Sequence, residues 1–481
     1  MDWQHIAKKQ AVRLLFCNMP ESFCFRTVCC VEKGKILHMI LGIDIGTSSI
    51  CLLAARESGE VLAVLSHPND AALPPPGHTS QDPERIWQIV EELACQLKGR
   101  LLEPVEAVGI SCQMHGILYL DRQGRPVSPL YTWQDPRGGL PAGLGAGPGR
   151  EGVSWSQYLS DLSGYPLSSG FGLVTHWVLH HTGQLPQDAV RLCTIGDFVG
   201  MRLSGETEPV IHPSNAASLG LFDLQSRRFD PEALGRLGIS AEFLPGLVSY
   251  GGQSTREGAA VAVALGDNQA SFLGAMPRHQ EREGMLLNLG TGGQISCCVE
   301  DYTQLEGFET RPYLENRYLL VRSSLCGGRA YAALERFFAK VVQMADGGGS
   351  FRGGERLYAS MAAAMDGFVP QSPPQTRTLF CGSRECPEER GSIQGLTLEN
   401  LTPENLIHSF LDGMLQEFAP AVRLLEKQQG KGVLVGAGNG IRKNNYLQGL
   451  IREKFSLPFL LSPCSEEAAL GAALFAARGE R

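Results

Sequence analysis

Two aspartates stand where a carboxylate is costly and chemically useful. Asp44 interrupts the apolar run Ile40-Leu41-Gly42-Ile43-Asp44-Ile45-Gly46. A carboxylate in such a strand needs a pair, a hydrogen bond or a cation to offset its burial. Beside a phosphate-binding turn that cation is Mg2+, which takes carboxylate and water ligands; the alternative is an aspartate that caps its own turn. Asp267 follows Val263-Ala264-Leu265-Gly266 and precedes a run of small and apolar residues. It reads either as a helix N-cap or as a general base that deprotonates an alcohol.

Phosphate oxygens are held by backbone N–H groups at turns where no side chain intrudes, with hydroxyls adding donors. Gly46-Thr47-Ser48-Ser49 and Gly290-Thr291-Gly292-Gly293 both fit, and the chain has no G-x-x-x-x-G-K-[ST] loop. A third glycine run, Gly436-Ala437-Gly438-Asn439-Gly440, follows Val433-Leu434-Val435. Ile441 stands where a dinucleotide fingerprint has its last glycine. The run is therefore a turn passing a base or ribose, or a plain strand-to-helix loop. Gln113-Met114-His115-Gly116 and Trp133-Gln134-Asp135-Pro136-Arg137 add an imidazole, a carboxylate, a guanidinium and an aromatic face. That set suits a polyol, whose hydroxyls donate and accept while its C–H face stacks on a ring. Taken singly, Met114 and Trp133 read equally well as packing residues.

These groups need elements to position them. With 481 residues the chain exceeds a domain of about 150, so two domains are expected. Strand-like runs (Ile40–Gly46, Val105–Cys112, Val261–Leu265, Met285–Leu289, Tyr318–Ser323 and Gly432–Gly436) alternate with helical patterns at Asp82–Leu97 and Thr402–Leu425. In both helices Pro follows a capping residue. Interspersed strands and helices mean an α/β protein. Gly138–Gly152 and Asp346–Gly354 read as glycine-rich loops. The two Gly-Thr turns lie about half a chain length apart, each between strand-like runs, which points to two related halves. Residues 1–38 carry no period and no motif and read as a flexible leader.

The net charge of −8 argues against a nucleic-acid binder and against docking on anionic lipid. No run approaches 18 apolar residues, so no membrane span is expected. The 14 cysteines show no C-x2-C spacing and read as reduced thiols of a cytoplasmic protein.

From about Leu41 to Ala477 these segments, in this order, resemble the FGGY family of carbohydrate kinases. The resemblance implies two ribonuclease H-like, actin-like ATPase domains with an interdomain cleft. It divides the chain into the leader, a sugar-binding domain over 39–276 and a nucleotide-binding domain over 277–481. It implies ATP and Mg2+ as cofactors and a small-molecule ketose as substrate, phosphorylated on a terminal hydroxyl. By position, Asp267 is the base and Asp44 holds Mg2+ through water. Gln113, Met114, His115, Trp133, Asp135, Arg137 and Asn268 bind the sugar. Thr47, Ser48, Gly290, Thr291, Gly292, Gly436, Gly438 and Asn444 bind ATP. Ser169–Gly172, Thr194–Val199 and Asn215–Gly220 are most similar to the family's sedoheptulose-phosphorylating branch. Pro136 stands where glycine is more usual between the Asp and Arg of the tryptophan motif. A xylulose-directed kinase and a catalytically silent ATP- or sugar-binding relative are the competing readings.

Overall fold

The computed structural model describes residues 31–32, 35–36, 39–74, 79–98, 100, 104–142, 152–250, 253–256, 259–277, 280–290, 292–345, 351–382, 388–430 and 432–479. Most of the expected leader, most of the Gly138–Gly152 loop and Thr291 lie outside them. The chain forms two compact units, one of residues 1–274, 312–315 and 466–481, the other of residues 275–311 and 316–465.

The first unit is built on the strand that carries Asp44. Strand β1 (Met39–Ile45) forms an antiparallel hairpin with β2 (Ser49–Ala55), and β3 (Val61–Pro68) continues antiparallel to β2. Strand β4 (Val105–Cys112) runs parallel to β1 with Ser111 beside Asp44. Strands β5 (Ala259–Val261) and β6 (Leu265–Gly266) both add parallel to β4. The sequence predicts one strand over Val261–Leu265; there are two. The carbonyl of Ala264 accepts a hydrogen bond from the Asn215 side chain at 3.0 Å, so a side chain satisfies a group that a continuous ladder would use.

Helix α1 (Pro83–Lys98) buries Ile86, Ile89, Val90, Leu93, Ala94 and Leu97 at helical spacing. Asp82 Oδ1 accepts from the Glu84 N–H at 2.9 Å, giving the expected cap. Helices α2 (Ile195–Ser204), α3 (Pro213–Leu219) and α4 (Asp267–Ala275) complete what positions the site.

The second unit repeats the same plan. Strands β7 (Gly284–Leu289) and β8 (Gly293–Val299) form the second hairpin; after edge strand β9 (Glu309–Pro312), β10 (Tyr318–Ser324) pairs antiparallel to β8. Strand β11 (Val433–Ala437) lies parallel to β7, and β12 (Phe459–Leu461) parallel to β11. The order β4-β1-β2-β3 in one sheet is thus matched by β11-β7-β8-β10 in the other. Helices α5 (Gly328–Ala345), α6 (Pro403–Gln429) and α7 (Asn445–Lys454) belong to this unit. Thr402 caps α6 by accepting from the Asn405 N–H.

The expected C-terminal domain of 277–481 needs one correction. The last helix, α8 (Glu467–Ala477), belongs to the first unit, where it packs on β1 and β4. It is apolar all round and buried on most sides, so it needs a covered place rather than a surface one. Glycines make that place: a Cβ on Gly42 would stand 1.8 Å from the Ala469 carbonyl oxygen, and one on Gly109 1.8 Å from that of Ala472. Gly109→Ala is expected to cost about 3 kcal/mol or more, because backbone rather than a flexible side chain must move. Thermal unfolding would show it as a fall in Tm, with Gly235→Ala, which meets open space, as the control.

Two histidines of the first unit are buried and held neutral. His176, hydrogen-bonded to Tyr119 Oη at 2.9 Å, is pushed down to about 4 by burial and by His180 and His181. His212 is pushed down to about 3 by burial and by Arg227. Both folded values lie below the usual 6.5, so the unfolded chain binds the protons first. Their stabilising contribution is complete above pH 6.5 and is lost as pH falls toward 4. Asp44 and Asp197, both raised to about 7, act in the opposite sense over the same range. The histidine contribution is therefore read as a difference: from pH 7 to pH 4 the Tm of wild type should fall relative to that of His176→Gln. Among the described residues no helix is long and apolar enough to cross a membrane.

Candidate functional site

The turn after β1 and the loop after β4 are bonded to one another. Gly46 N–H donates to Ser49 O at 2.9 Å and closes the turn. Thr47 Oγ1 donates to Gln113 Oε1 at 3.1 Å and accepts from Trp133 Nε1 at 3.0 Å. Gln81 bridges the two, its Nε2 donating to Thr47 O and its Oε1 accepting from Gln113 Nε2, both at 2.8 Å. Asn69 Nδ2 holds Gly46 O at 2.8 Å. The hydroxyl hydrogen of Thr47 is therefore committed to Gln113 and its carbonyl to Gln81, while Ser48 beside it is exposed. Gln81 and Asn69 were not legible as site residues, since neither belongs to a motif.

The polyol-type residues gather around these bonds. Trp133 is 47% exposed, a ring presented to solvent with only its nitrogen tied down. Asp135 is buried, and its Oδ1 accepts from both the backbone N–H and the Nε of Arg137, at 3.0 and 2.9 Å. The guanidinium also lies 4.6 Å over the Tyr131 ring, while its Nη1 is buried with no hydrogen-bond partner. Pro136 precedes a short 3-10 turn, Arg137–Gly139, which starts at the arginine of this pair. His115 takes a positive φ of 73°, stacks on Phe171 at 4.8 Å, and its Nδ1 lies 2.7 Å from Ser218 O. Met114 is buried with its sulfur against Gly266.

The acids meet at the ends of β1 and β6. Asp267 is the first residue of α4, directly after Gly266, with Asn268 beside it. Asp44 accepts a hydrogen bond from the Ser111 hydroxyl. Its carboxyl is pushed up to about 7, chiefly by burial and further by the charges of Asp267 and Glu466. Glu466, just before α8, carries no sequence signal, because only folding returns the chain end to this sheet. Like charges that act on one another are relieved by a divalent cation, and a carboxylate ligand suits Mg2+. Among the described residues no cluster of three or more ligating side chains surrounds a single point. Magnesium at Asp44 would thus take most of its ligands from water and phosphate, as that ion commonly does.

In the second unit the turn between β7 and β8 is closed by Gly290 N–H to Gly292 O at 3.0 Å, and Gly328 N–H at the start of α5 donates to Gly290 O at 3.1 Å. Gly436 lies within β11. Gly438 has φ 81°, and a Cβ there would stand 2.5 Å from Asn288 Oδ1 and 2.6 Å from Leu289 O. Only glycine lets that loop lie against the end of β7. Asn444 is the N-cap of α7, its Oδ1 accepting from the Leu447 N–H at 2.9 Å. Its side chain is thus engaged in holding the helix start.

Residues 39–274 match the N-terminal domain of the FGGY family of carbohydrate kinases. The chain is 28% identical to the sedoheptulokinase of Homo sapiens over 489 aligned residues, which cover 90% of this chain and 96% of that protein. Its fold is similar to that of a xylulose kinase from Rhodospirillum rubrum (TM-score 0.73, 20% identity, 92% and 90% of the two chains). It is also similar to a Plasmodium falciparum glycerol kinase with ADP (TM-score 0.73, 17% identity, 92% and 89%). The chain is thus similar to the FGGY family of carbohydrate kinases, and it has the two-domain, ribonuclease H-like fold of its structural neighbours.

Proposed function

We propose that the protein transfers the γ-phosphoryl group of ATP to the terminal primary hydroxyl of a ketose, with sedoheptulose, giving sedoheptulose 7-phosphate, as the favoured substrate. The observation that carries the reading is the placing of Asp44 and Asp267 at the ends of β1 and β6, the two strands that flank β4, with the Asp267 charge acting on Asp44. They share that sheet with the turn and loop joined through Thr47 and Gln113. A sugar hydroxyl has a pKa far above 7, so its proton must leave as the oxygen attacks, and Asp267 accepts it. Magnesium bound at Asp44 supplies charge neutralisation for the phosphates. The backbone N–H groups of Thr47 and Ser48, in the Gly46–Ser49 turn, donate to phosphate oxygens. Trp133 stacks on the sugar's C–H face, and Arg137, with an unpartnered Nη1, donates to a hydroxyl. Cys95 and Cys381 are exposed free thiols, in keeping with a reducing, cytoplasmic setting.

Ketoses share their C1–C2 end and differ in length, so discrimination comes from pocket depth and from hydroxyl partners left unsatisfied by the wrong sugar. With ATP and Mg2+ held equal, kcat/KM for sedoheptulose should exceed that for D-xylulose, with the phosphate on C7. A preference for xylulose, or turnover of glycerol alone, would replace the substrate and leave the kinase reading standing. Binding of ATP and sugar without sugar-dependent ADP release would instead mark a silent relative.

A further inference from the structure

Helix α3 is short, fully packed and outside the reacting groups, yet its polar side chains are spent on two neighbours of the site. Ser214 Oγ accepts from the Gly266 N–H at 3.0 Å, the peptide immediately before Asp267. Asn215 Nδ2 donates to Ala264 O at 3.0 Å, two residues further back on the same segment. Ser218 Oγ accepts from the His115 N–H at 3.0 Å, and the Ser218 carbonyl accepts from His115 Nδ1 at 2.7 Å. Ser214, Asn215 and Ser218 are all buried.

The direction of the bonds is fixed from one end. His212 Nδ1 accepts from the Ser214 backbone N–H at 3.1 Å, so that nitrogen carries no proton. The Ser214 hydroxyl, 2.8 Å from the same nitrogen, must then be the donor to it. With its hydrogen committed to His212, Ser214 Oγ presents only lone pairs to Gly266. The chain of bonds runs Gly266 N–H to Ser214 and Ser214 O–H to His212, with one polarity throughout.

We infer that Ser214, oriented by His212, is a positioning residue that fixes the backbone carrying Asp267, and that α3 sets the base and the His115 loop in register through Ser214 and Ser218. Sheet pairing alone leaves this segment loosely held, since β6 is two residues long. A base must stand within hydrogen-bond reach of the proton it abstracts, so a small displacement of the backbone at 266–267 costs turnover more than sugar binding. The inference rests on Asp267 being the base.

The test is a kinetic split in the full-length chain with sedoheptulose, or the best ketose found. Ser214→Ala is expected to lower kcat about tenfold while the sugar Kd, measured by direct calorimetric binding, changes less than twofold. Ser214→Thr, which keeps the hydroxyl, should restore most of the turnover. Should the alanine protein fail to fold, Ser214→Cys preserves the volume with a poor acceptor and should show several-fold lower kcat at unchanged Kd. In an Asp267→Asn background Ser214→Ala should have almost no further effect on kcat, because the group being positioned is gone. A kcat within twofold of wild type for Ser214→Ala or Ser214→Cys, a parallel loss of Kd and kcat, or full additivity with Asp267→Asn would each overturn the positioning role. An Asp267→Asn enzyme with normal turnover would overturn the base assignment itself, and the two failures are read from different proteins.

Discussion

Asp267→Asn is expected to lower kcat by about 10²–10⁴-fold, equivalent to about 3–5 kcal/mol of transition-state stabilisation. The substitution keeps the shape and a hydrogen-bonding oxygen but removes the ability to take a proton. Sugar Kd should change little, because the acceptor hydroxyl can still bond to the amide. Asp267 opens α4 directly after Gly266, so the folding contribution open to it is that of a helix-start residue. Asparagine serves that purpose nearly as well as aspartate, and Tm should therefore hold. A purely structural aspartate would give the opposite pattern, with turnover kept. Steady-state kinetics, sugar binding and a melting curve on one protein separate these cases. Normal kcat with normal Tm would remove Asp267 from the mechanism.

Much of this was legible in the residues. The repeat of Gly46-Thr47 and Gly290-Thr291 announced two hairpins, and both sheets place such a hairpin beside a parallel strand. The reason is physical: a strand, a two- to three-residue glycine turn and a returning strand is a local unit, so adjacent residues encode it. Strand β4 and helix α1 were readable for the same reason, one from its apolar run and the other from its Asp-Pro start. What could not be read is what arrives from far along the chain. Helix α8 joins the first unit only because Gly42 and Gly109 leave room for its backbone, and nothing in its own alanine-rich run states which sheet it covers. Glu466 comes with it.

The polar lattice was hidden for a related reason. Gln81 looks like any residue before an Asp-Pro helix start, and its role as the bridge between Thr47 and Gln113 exists only in three dimensions. Arg137 shows the converse. Proline in place of the more usual glycine departs from the family pattern. Identity at one position does not by itself decide contact at the next: with proline at 136, Arg137 pairs with Asp135.

Asp44→Asn should separate stability from activity in opposite directions. The carboxylate sits in a sheet interior, one oxygen bonded to Ser111 and its charge opposed by Asp267 and Glu466. Its value of about 7, raised from 3.8, means that the folded protein binds this proton more tightly than the unfolded chain. The linkage therefore penalises the fold: stability falls as pH rises from about 4 to about 7, and above that the full penalty remains. Asparagine keeps an acceptor for Ser111 and carries no charge. At pH 8 with no metal or nucleotide, Asp44→Asn should melt higher than wild type, by an amount on the order of 1–4 kcal/mol, since each pKa unit is worth about 1.4 kcal/mol. Turnover should nevertheless fall by about 10²-fold or more, because the carboxylate is the group proposed to hold magnesium beside the phosphates. Magnesium with a non-hydrolysable ATP analogue should raise the Tm of wild type more than that of the variant, since binding gives the charge its partner. A variant that melts lower than wild type would show that the charge is already compensated within the fold. One that melts higher but keeps full turnover would show that the phosphates are neutralised elsewhere.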